Sequence, residues 1–264
     1  MDYFGYFSSI LIGVSLGLIG GGGSILTVPV LVYIFKIDVT VATVYSLFIV
    51  GVTSAVGSVN YFKRSLININ TALLFGIPSI VGVFLSRLYI VPAIPEHVFS
   101  IETFIFTKHV LLMLLFALLM IGASYSMIKK TVPDNSNISP GSFNYPLIML
   151  QGFAVGIITG LVGAGGGFMI IPALIIMLKL PMKQAIGTSL LIIAANSLLG
   201  FASSTNHISI QWPFLLTIAA FAIMGIFIGT QLSKKIDGAK LKPAFGWFVL
   251  AMGIYIVLKE TVIK

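Results

Sequence analysis

The chain has 264 residues, 58% hydrophobic and 8% charged, with a mean hydropathy of +1.11. A soluble domain carries about 45–50% apolar and about 25% charged residues, so this composition describes a polytopic membrane protein with no stretch left for a soluble catalytic or nucleic-acid-binding domain. The formal charge of +8 does not signal nucleic acid, because the lysines stand singly or in pairs at the ends of apolar runs, and the lack of cysteine excludes disulfides, thiol catalysis and thiolate metal sites.

In chain order, Met1-Asp2-Tyr3-Phe4 has no basic region and no clean cleavage site, so the N-terminus reads as retained. Residues 5–19 and 24–36 are apolar, but as helices they would rise only about 22 and about 20 Å against a hydrocarbon core of ~30 Å. Between them stand Gly20, Gly21, Gly22, Gly23 and Ser24. The economical structure is a hairpin that enters and leaves on one side, its elbow near mid-depth. Runs 40–60, 66–88 and 109–128 are long enough to span. An insertion at 88–110 carries Pro92, Pro95, Glu96, His97, Glu102 and His109 in no metal-site spacing, and reads as a loop or surface-lying segment rather than an external lid. Neither metal nor cofactor is expected. A polar, proline-bearing linker at 131–145 follows, then a second hairpin at 146–180 and spans at 184–204, 211–232 and 241–258.

The second half repeats the first. Gly17 and Gly160 stand 143 positions apart, and the same register superposes Gly13 on Gly156, Pro29 on Pro172, Ser46-Leu47 on Ser189-Leu190, Gly57 on Gly200 and Phe84 on Phe227. Shared apolar composition does not align glycines, a proline and a serine at one offset, so the chain is an internal duplication. The expected division is a first repeat at 1–130, a cytoplasmic linker at 131–145 and a second repeat at 146–264.

Orientation follows from the bias of basic residues. Placing Lys63, Arg64, Lys129, Lys130, Lys179, Lys183, Lys234, Lys235, Lys240 and Lys242 inside leaves five basic residues outside: Lys36, Arg87, Lys108, Lys259 and Lys264. That assignment requires both hairpins not to cross. Each repeat then crosses three times, and the fold expected is all-α with two inverted-topology repeats, each a glycine-elbow hairpin followed by three transmembrane helices, as in many secondary transporters.

No Asp, Glu, Lys, Arg or His falls in the middle of any expected span, which removes the usual groups of proton relays and cation sites. The candidates are backbone and hydroxyl groups. Glycines let the chain unwind and expose N–H groups, and a half-helix starting at the elbow turns its positive end toward the bilayer centre, which favours an anion. The candidate substrate-binding residues are Gly20, Gly21, Gly22, Gly23 and Ser24 in the first elbow, Gly163, Gly165, Gly166 and Gly167 in the second, and Ser46, Thr188, Ser189 and Asn196 on the spans that follow. Close helix packing competes for the glycines, and small polar residues also join helices in membranes. That second role is the stronger reading for Thr53, Ser54 and Ser197; Tyr45, aligned with Thr188, is either a hydroxyl donor or bulk. Whether the helix after each elbow begins at Ser24 or only near Pro29 is left open by the sequence. If the elbows bind through N–H groups, Gly22→Ala and Gly165→Ala are expected to reduce transport while leaving the protein folded.

At these residues the chain resembles the sulfite exporter TauE/SafE family, also called the toluene sulfonate uptake permease family. The resemblance lies in two copies of a hydrophobic unit, each opening with a glycine-rich stretch and a proline, Gly20 to Pro29 and Gly163 to Pro172, and in Ala185-Ile186-Gly187-Thr188-Ser189-Leu190. It implies a transporter, not an enzyme, in the cytoplasmic membrane. The implied substrates are small sulfur-containing or organic anions such as sulfite, sulfonates or sulfoacetate, often moved outward. The partners expected are therefore a small anion and the lipid bilayer. Import of an organic anion, a membrane-embedded enzyme and an assembly subunit are the alternatives; the enzyme lacks a buried acid, base or nucleophile. Direction and oligomeric state are written in no motif.

Overall fold

The computed structural model describes residues 2–21, 23–101, 104–128, 145–163, 165–176, 178, 180–205, 209–233 and 238–261. Gly22, Glu102, the linker at 131–144 and Lys129, Lys130, Lys179, Lys234, Lys235 and Lys264 lie outside the described residues.

The fold is helical, and glycine decides which helices touch. The first hairpin comprises α1 (Asp2–Ile19) and α2 (Ser24–Pro29), which runs on as a π-turn over Val30–Ile34. Pro29 does not delay the helix. It lies inside the return arm, which widens directly after it into a π-turn, closed by Phe35 N–H donating to Val30 O at 3.2 Å. The arms double back on each other: a Cβ on Gly5 would strike the Phe35 ring, and one on Gly23 would meet the backbone of Ile12 and Leu16. In the second hairpin, α7 (Tyr145–Val162) and α8 (Gly167–Ile176), the equivalent Gly166 would likewise strike Thr159.

Between the hairpins run α3 (Val39–Phe62), α4 (Ile69–Leu85), a π-turn at Ser86–Ile90, the short α5 (Val91–Ala93) and α6 (Lys108–Ile128). After the second hairpin come α9 (Met182–Ser204), α10 (Trp212–Leu232) and α11 (Gly238–Thr261). Asp38 caps α3 and Asn68 caps α4, each side chain accepting from first-turn N–H groups. Among the described residues six helices are long and apolar enough to cross a membrane: Val39–Phe62, Ile69–Ala93, Lys108–Tyr125, Tyr145–Val162, Met182–Ser204 and Trp212–Leu232. Large apolar side chains such as Phe7, Val81, Phe84, Leu118 and Trp247 face outward, as a lipid environment requires.

The helix contacts respect the 143-residue register. A Cβ on Gly13 would meet the carbonyl of Ala222, and one on Gly156 that of Ser79; Gly17 stands on Ile226 O and Gly160 on Val83 O; Gly225 stands on Ile10 O and Gly82 on Phe153 O. Hence α1 packs parallel to α10, and α7 parallel to α4, each half placing a hairpin arm against a span of the other. In α3 and α9 the partners descend as positions rise, with Gly51 beside Leu198, Gly57 beside Leu190 and Gly200 beside Leu47. These two equivalent helices therefore cross antiparallel. Small residues permit all these backbone approaches.

Two expectations are corrected here. The outgoing arms α1 and α7 have 18 residues each, a rise of about 27 Å, so they reach past the middle instead of stopping at it. Gly20 accordingly lies against Ile186, a turn into α9, and Gly163 against Thr43, a turn into α3. The 88–110 insertion is also more ordered than a loop. Its first residues prolong α4 to Ala93, and an antiparallel hairpin, β1 (His97–Ile101) with β2 (Phe104–Thr107), precedes α6.

Candidate functional site

The two elbows touch. A Cβ on Gly21 would collide with the backbone of Gly167, and one on Gly167 with Gly21 in return. Gly20, Gly163, Gly165 and Gly166 all have φ between +67° and +82°, the left-handed region that costs a side chain roughly 1–2 kcal/mol. The glycines are thus needed for backbone shape at four positions, and for interhelical approach at Gly21 and Gly167.

What surrounds each elbow differs. In the first, Gly20 lies on Ile186, and Ser24, fully buried, donates its hydroxyl to Gly21 O at 2.7 Å. That bond closes the elbow on itself. In the second, Gly163 lies between Thr43 and the guanidinium of Arg87, Gly165 between Val50, Ile193 and the Ser197 hydroxyl, and Gly166 on Thr159. Several buried hydroxyls have no hydrogen-bond partner among the described residues: Thr27, Ser46, Ser54, Ser86, Thr159 and Ser197. Unpaired buried polar groups are uncommon and costly, so such a concentration points to a ligand, water or ion.

Most of the remaining sequence candidates have hydrogen-bond partners within the protein. Thr188 accepts the Asn68 N–H at 3.0 Å, and its register equivalent Tyr45 accepts the Gln211 N–H at 2.8 Å. Each hydroxyl thus ties one half to the start of a span in the other. Ser189 donates to Ile186 O at 2.9 Å within its own helix. Asn196 donates from Nδ2 to Ser79 Oγ at 2.6 Å, joining α9 to α4, and keeps Oδ1 free; Ser46 is buried with its hydroxyl unpartnered. The expectation that Gly165→Ala leaves the fold undisturbed fails, since φ is +67° and the new methyl would press on Val50, Ser197 and Ile193.

Arg87 is the residue that sequence reasoning misplaced. It was expected at the external end of the 66–88 span, with the middle of every span free of ionisable groups. Instead the π-turn carries α4 through to Ala93 and encloses Arg87 at 4% exposure. Nη1 donates to Thr43 Oγ1 at 3.2 Å, while Nε and Nη2 have no partner among the described residues. The signal available in the sequence was Ser86-Arg87 directly followed by Leu88-Tyr89-Ile90-Val91, an apolar continuation that does not require the helix to stop. Glu260 is also buried, beside His109 Nε2 at 3.6 Å and accepting from Tyr33 OH at 2.9 Å, at the end of α11.

Apolar spans wrapped around two glycine elbows that meet inside the protein define a multi-pass membrane transporter. The sulfite exporter TauE/SafE description fits residues 6–256, and the chain belongs to that family, whose members are transporters and not enzymes. A "Probable membrane transporter protein" of Xylella fastidiosa is 28% identical over 260 residues, covering 95% of this chain and 92% of that one. The "Probable membrane transporter protein YunE" of Bacillus subtilis is 27% identical over 243 residues, 86% and 87% of the two chains. The "Probable membrane transporter protein MJ0441" of Methanocaldococcus jannaschii is 34% identical over 125 residues, 45% and 47% of the two chains. No solved structure matches the chain.

Proposed function

We propose that the protein moves a small sulfur-containing or organic anion, such as sulfite, a sulfonate or sulfoacetate, across the cell membrane, and that the anion is held where the two elbows meet. The observation that carries this reading is the Gly21–Gly167 contact with unpartnered buried hydroxyls close by, Ser197 against Gly165 and Thr159 against Gly166. The substrate-binding set is read as Gly20, Gly21, Gly22, Gly23, Ser24, Ser46, Gly163, Gly165, Gly166, Gly167, Thr188, Ser189 and Asn196, with the second elbow foremost. Export is the direction favoured. With the cell interior negative, outward movement of one negative charge gains about 2.3 kcal/mol per 100 mV, so a uniporter suffices.

The same reading makes the halves, 1–130 and 146–264, inverted repeats joined by a cytoplasmic linker at 131–145. It is supported by the antiparallel crossing of α3 and α9 and by the reciprocal glycine contacts. Asn137→Cys is expected to react with an impermeant thiol reagent only from the cytoplasmic side; reaction from outside in sealed cells would remove the inverted arrangement. The transport reading is tested in proteoliposomes with sulfite, methanesulfonate, sulfoacetate and acetate. At equal pH on both sides an imposed potential should drive flux of at least one of them. Flux that follows a pH gradient but ignores voltage would contradict a uniporter, and no flux of any would contradict the anion reading.

A further inference from the structure

We infer that Arg87 supplies the positive charge that receives the transported anion, presenting the Nε and Nη2 edge of its guanidinium beside the second elbow. The inference rests on the anion-transport reading and adds to it a charged ligand, a place and a shape of substrate. A guanidinium offers two N–H groups in parallel along the side formed by Nε and Nη2, and that fork matches two oxygens of one carboxylate, sulfonate or sulfite. In Arg87 this edge is the free one. Nη1, on the other edge, is taken by Thr43 Oγ1, whose own hydroxyl donates to Thr40 O at 2.8 Å. The guanidinium is therefore fixed in orientation, with its bidentate side unused.

Further features separate this arrangement from an arginine that merely holds helices together. Arg87 is 4% exposed and makes no ion pair among the described residues, and a lone buried charge is costly unless a counter-charge arrives. Its neighbour Ser86 is fully buried with a free hydroxyl. The backbone at both residues is a π-turn, a widening of the helix often found at functional positions. Gly163 lies so close that a methyl there would strike Nη2, which puts the free edge against an elbow residue. The equivalent place in the other half has none of this. Ile186 stands for Thr43, Gly229 for Ser86 and Thr230 for Arg87, and the Thr230 hydroxyl is spent on Ile226 O at 2.8 Å. The expected ligand is accordingly one singly charged anion with two coplanar acceptor oxygens.

The test uses purified full-length protein, with thermal midpoints followed by tryptophan fluorescence in methanesulfonate, acetate or sulfite against chloride at equal ionic strength. The parent should gain stability from at least one of the three oxyanions over chloride. Arg87→Lys, which keeps the charge and loses the fork, should need at least tenfold more of that oxyanion for the same gain, and Thr230→Val should respond like the parent. A second readout needs no variant at Arg87. Phenylglyoxal modification, located by mass spectrometry, should slow at Arg87 when the oxyanion is present and stay unchanged at exposed Arg64, the other arginine of the chain. If Arg87→Lys keeps the parent's oxyanion gain and the parent's flux, Arg87 is structural and the inference falls while anion transport stands. If Arg87-dependent stabilisation comes only from anionic lipid, added as phosphatidylglycerol in mixed micelles, the guanidinium serves a headgroup and the inference falls likewise. Absence of flux for every anion in the parent overturns the transport reading itself.

Discussion

The two elbows open on the same turn and then differ in backbone, with Gly23 at φ −70° where its equivalent Gly166 is at +68°, and in chemistry. Gly20 and Gly163 adopt the same left-handed conformation, at φ +82° and +72°, and each lies a turn into the equivalent helix of the other half. Gly20 lies on Ile186, and Thr230, the register equivalent of Arg87, is bonded within its own helix; around Gly163 stand Thr43 and a guanidinium with an open edge. The comparison shows what a duplicated scaffold keeps. Gly13, Gly17 and Gly82 are matched by Gly156, Gly160 and Gly225 in the other copy, because a Cβ at any of them would meet backbone of the opposite helix, whereas the elbow glycines Gly21 and Gly167 have Ala164 and Ser24 as their equivalents. Side chains that face a ligand are free to diverge, since a single charge is enough for one anion.

The largest expected effect lies in that divergence. Arg87→Gln should lower anion flux at least tenfold, whereas Thr230→Val at the equivalent place should stay within about twofold of the parent, measured in the same liposomes. A factor of ten corresponds to about 1.4 kcal/mol of binding, a modest demand for a charge-assisted bidentate contact. Equal losses in the two variants would make the elbows equivalent after all.

Next come the elbow glycines. Gly20→Ala and Gly163→Ala should each cost about 2–5 kcal/mol, the sum of left-handed strain at about 1–2 and overpacking at about 1–3. Thermal unfolding in detergent reads this. Only Gly163→Ala should also lose the oxyanion-induced rise; a retained rise would detach the second elbow from binding.

Much of this was legible in the sequence, and for a physical reason. Gly, Pro and Ser at one offset reveal the duplication, because each residue type answers a backbone demand that both copies share. Gly13, Gly17, Gly82 and their equivalents are such demands, set by carbonyls of the opposite helix. The site was less legible. Thr188 also accepts the N–H of Asn68, 120 positions away, and no local pattern announces a partner at that distance. Arg87 was lost to the assumption that a charge ends a span, whereas a π-turn let α4 continue through it. The residues 97–107 read as a plain loop because a short hairpin inside an insertion shows too few alternations to stand out.

A smaller effect sharpens the symmetry. Tyr45→Phe and Thr188→Val remove equivalent acceptors from Gln211 N and Asn68 N, and each should cost about 1 kcal/mol. Similar shifts in the unfolding midpoint would match the shared contact, while a loss of oxyanion response in Thr188→Val alone would show that the Thr188 hydroxyl also reaches the anion. Smallest of all, Ser54→Ala and Ser197→Ala remove hydroxyls that bond to nothing in the protein, so stability should stay within about 0.5 kcal/mol. Ser197→Ala, beside Gly165, should nevertheless weaken oxyanion binding several-fold.

The central claim, that the anion sits between the meeting elbows, has a direct measurement because the natural chain contains no cysteine. Ser197→Cys places the sole thiol against Gly165, and Ser58→Cys supplies a control elsewhere on α3. Both are labelled in proteoliposomes with a small thiol reagent, with and without the sulfonate or carboxylate that the flux panel selects; sulfite is avoided because it attacks such reagents. The account predicts that the anion slows labelling at 197 at least fivefold and leaves position 58 unchanged. Labelling at 197 that proceeds at the same rate with and without the anion, in protein that still transports it, would place the substrate away from the elbows.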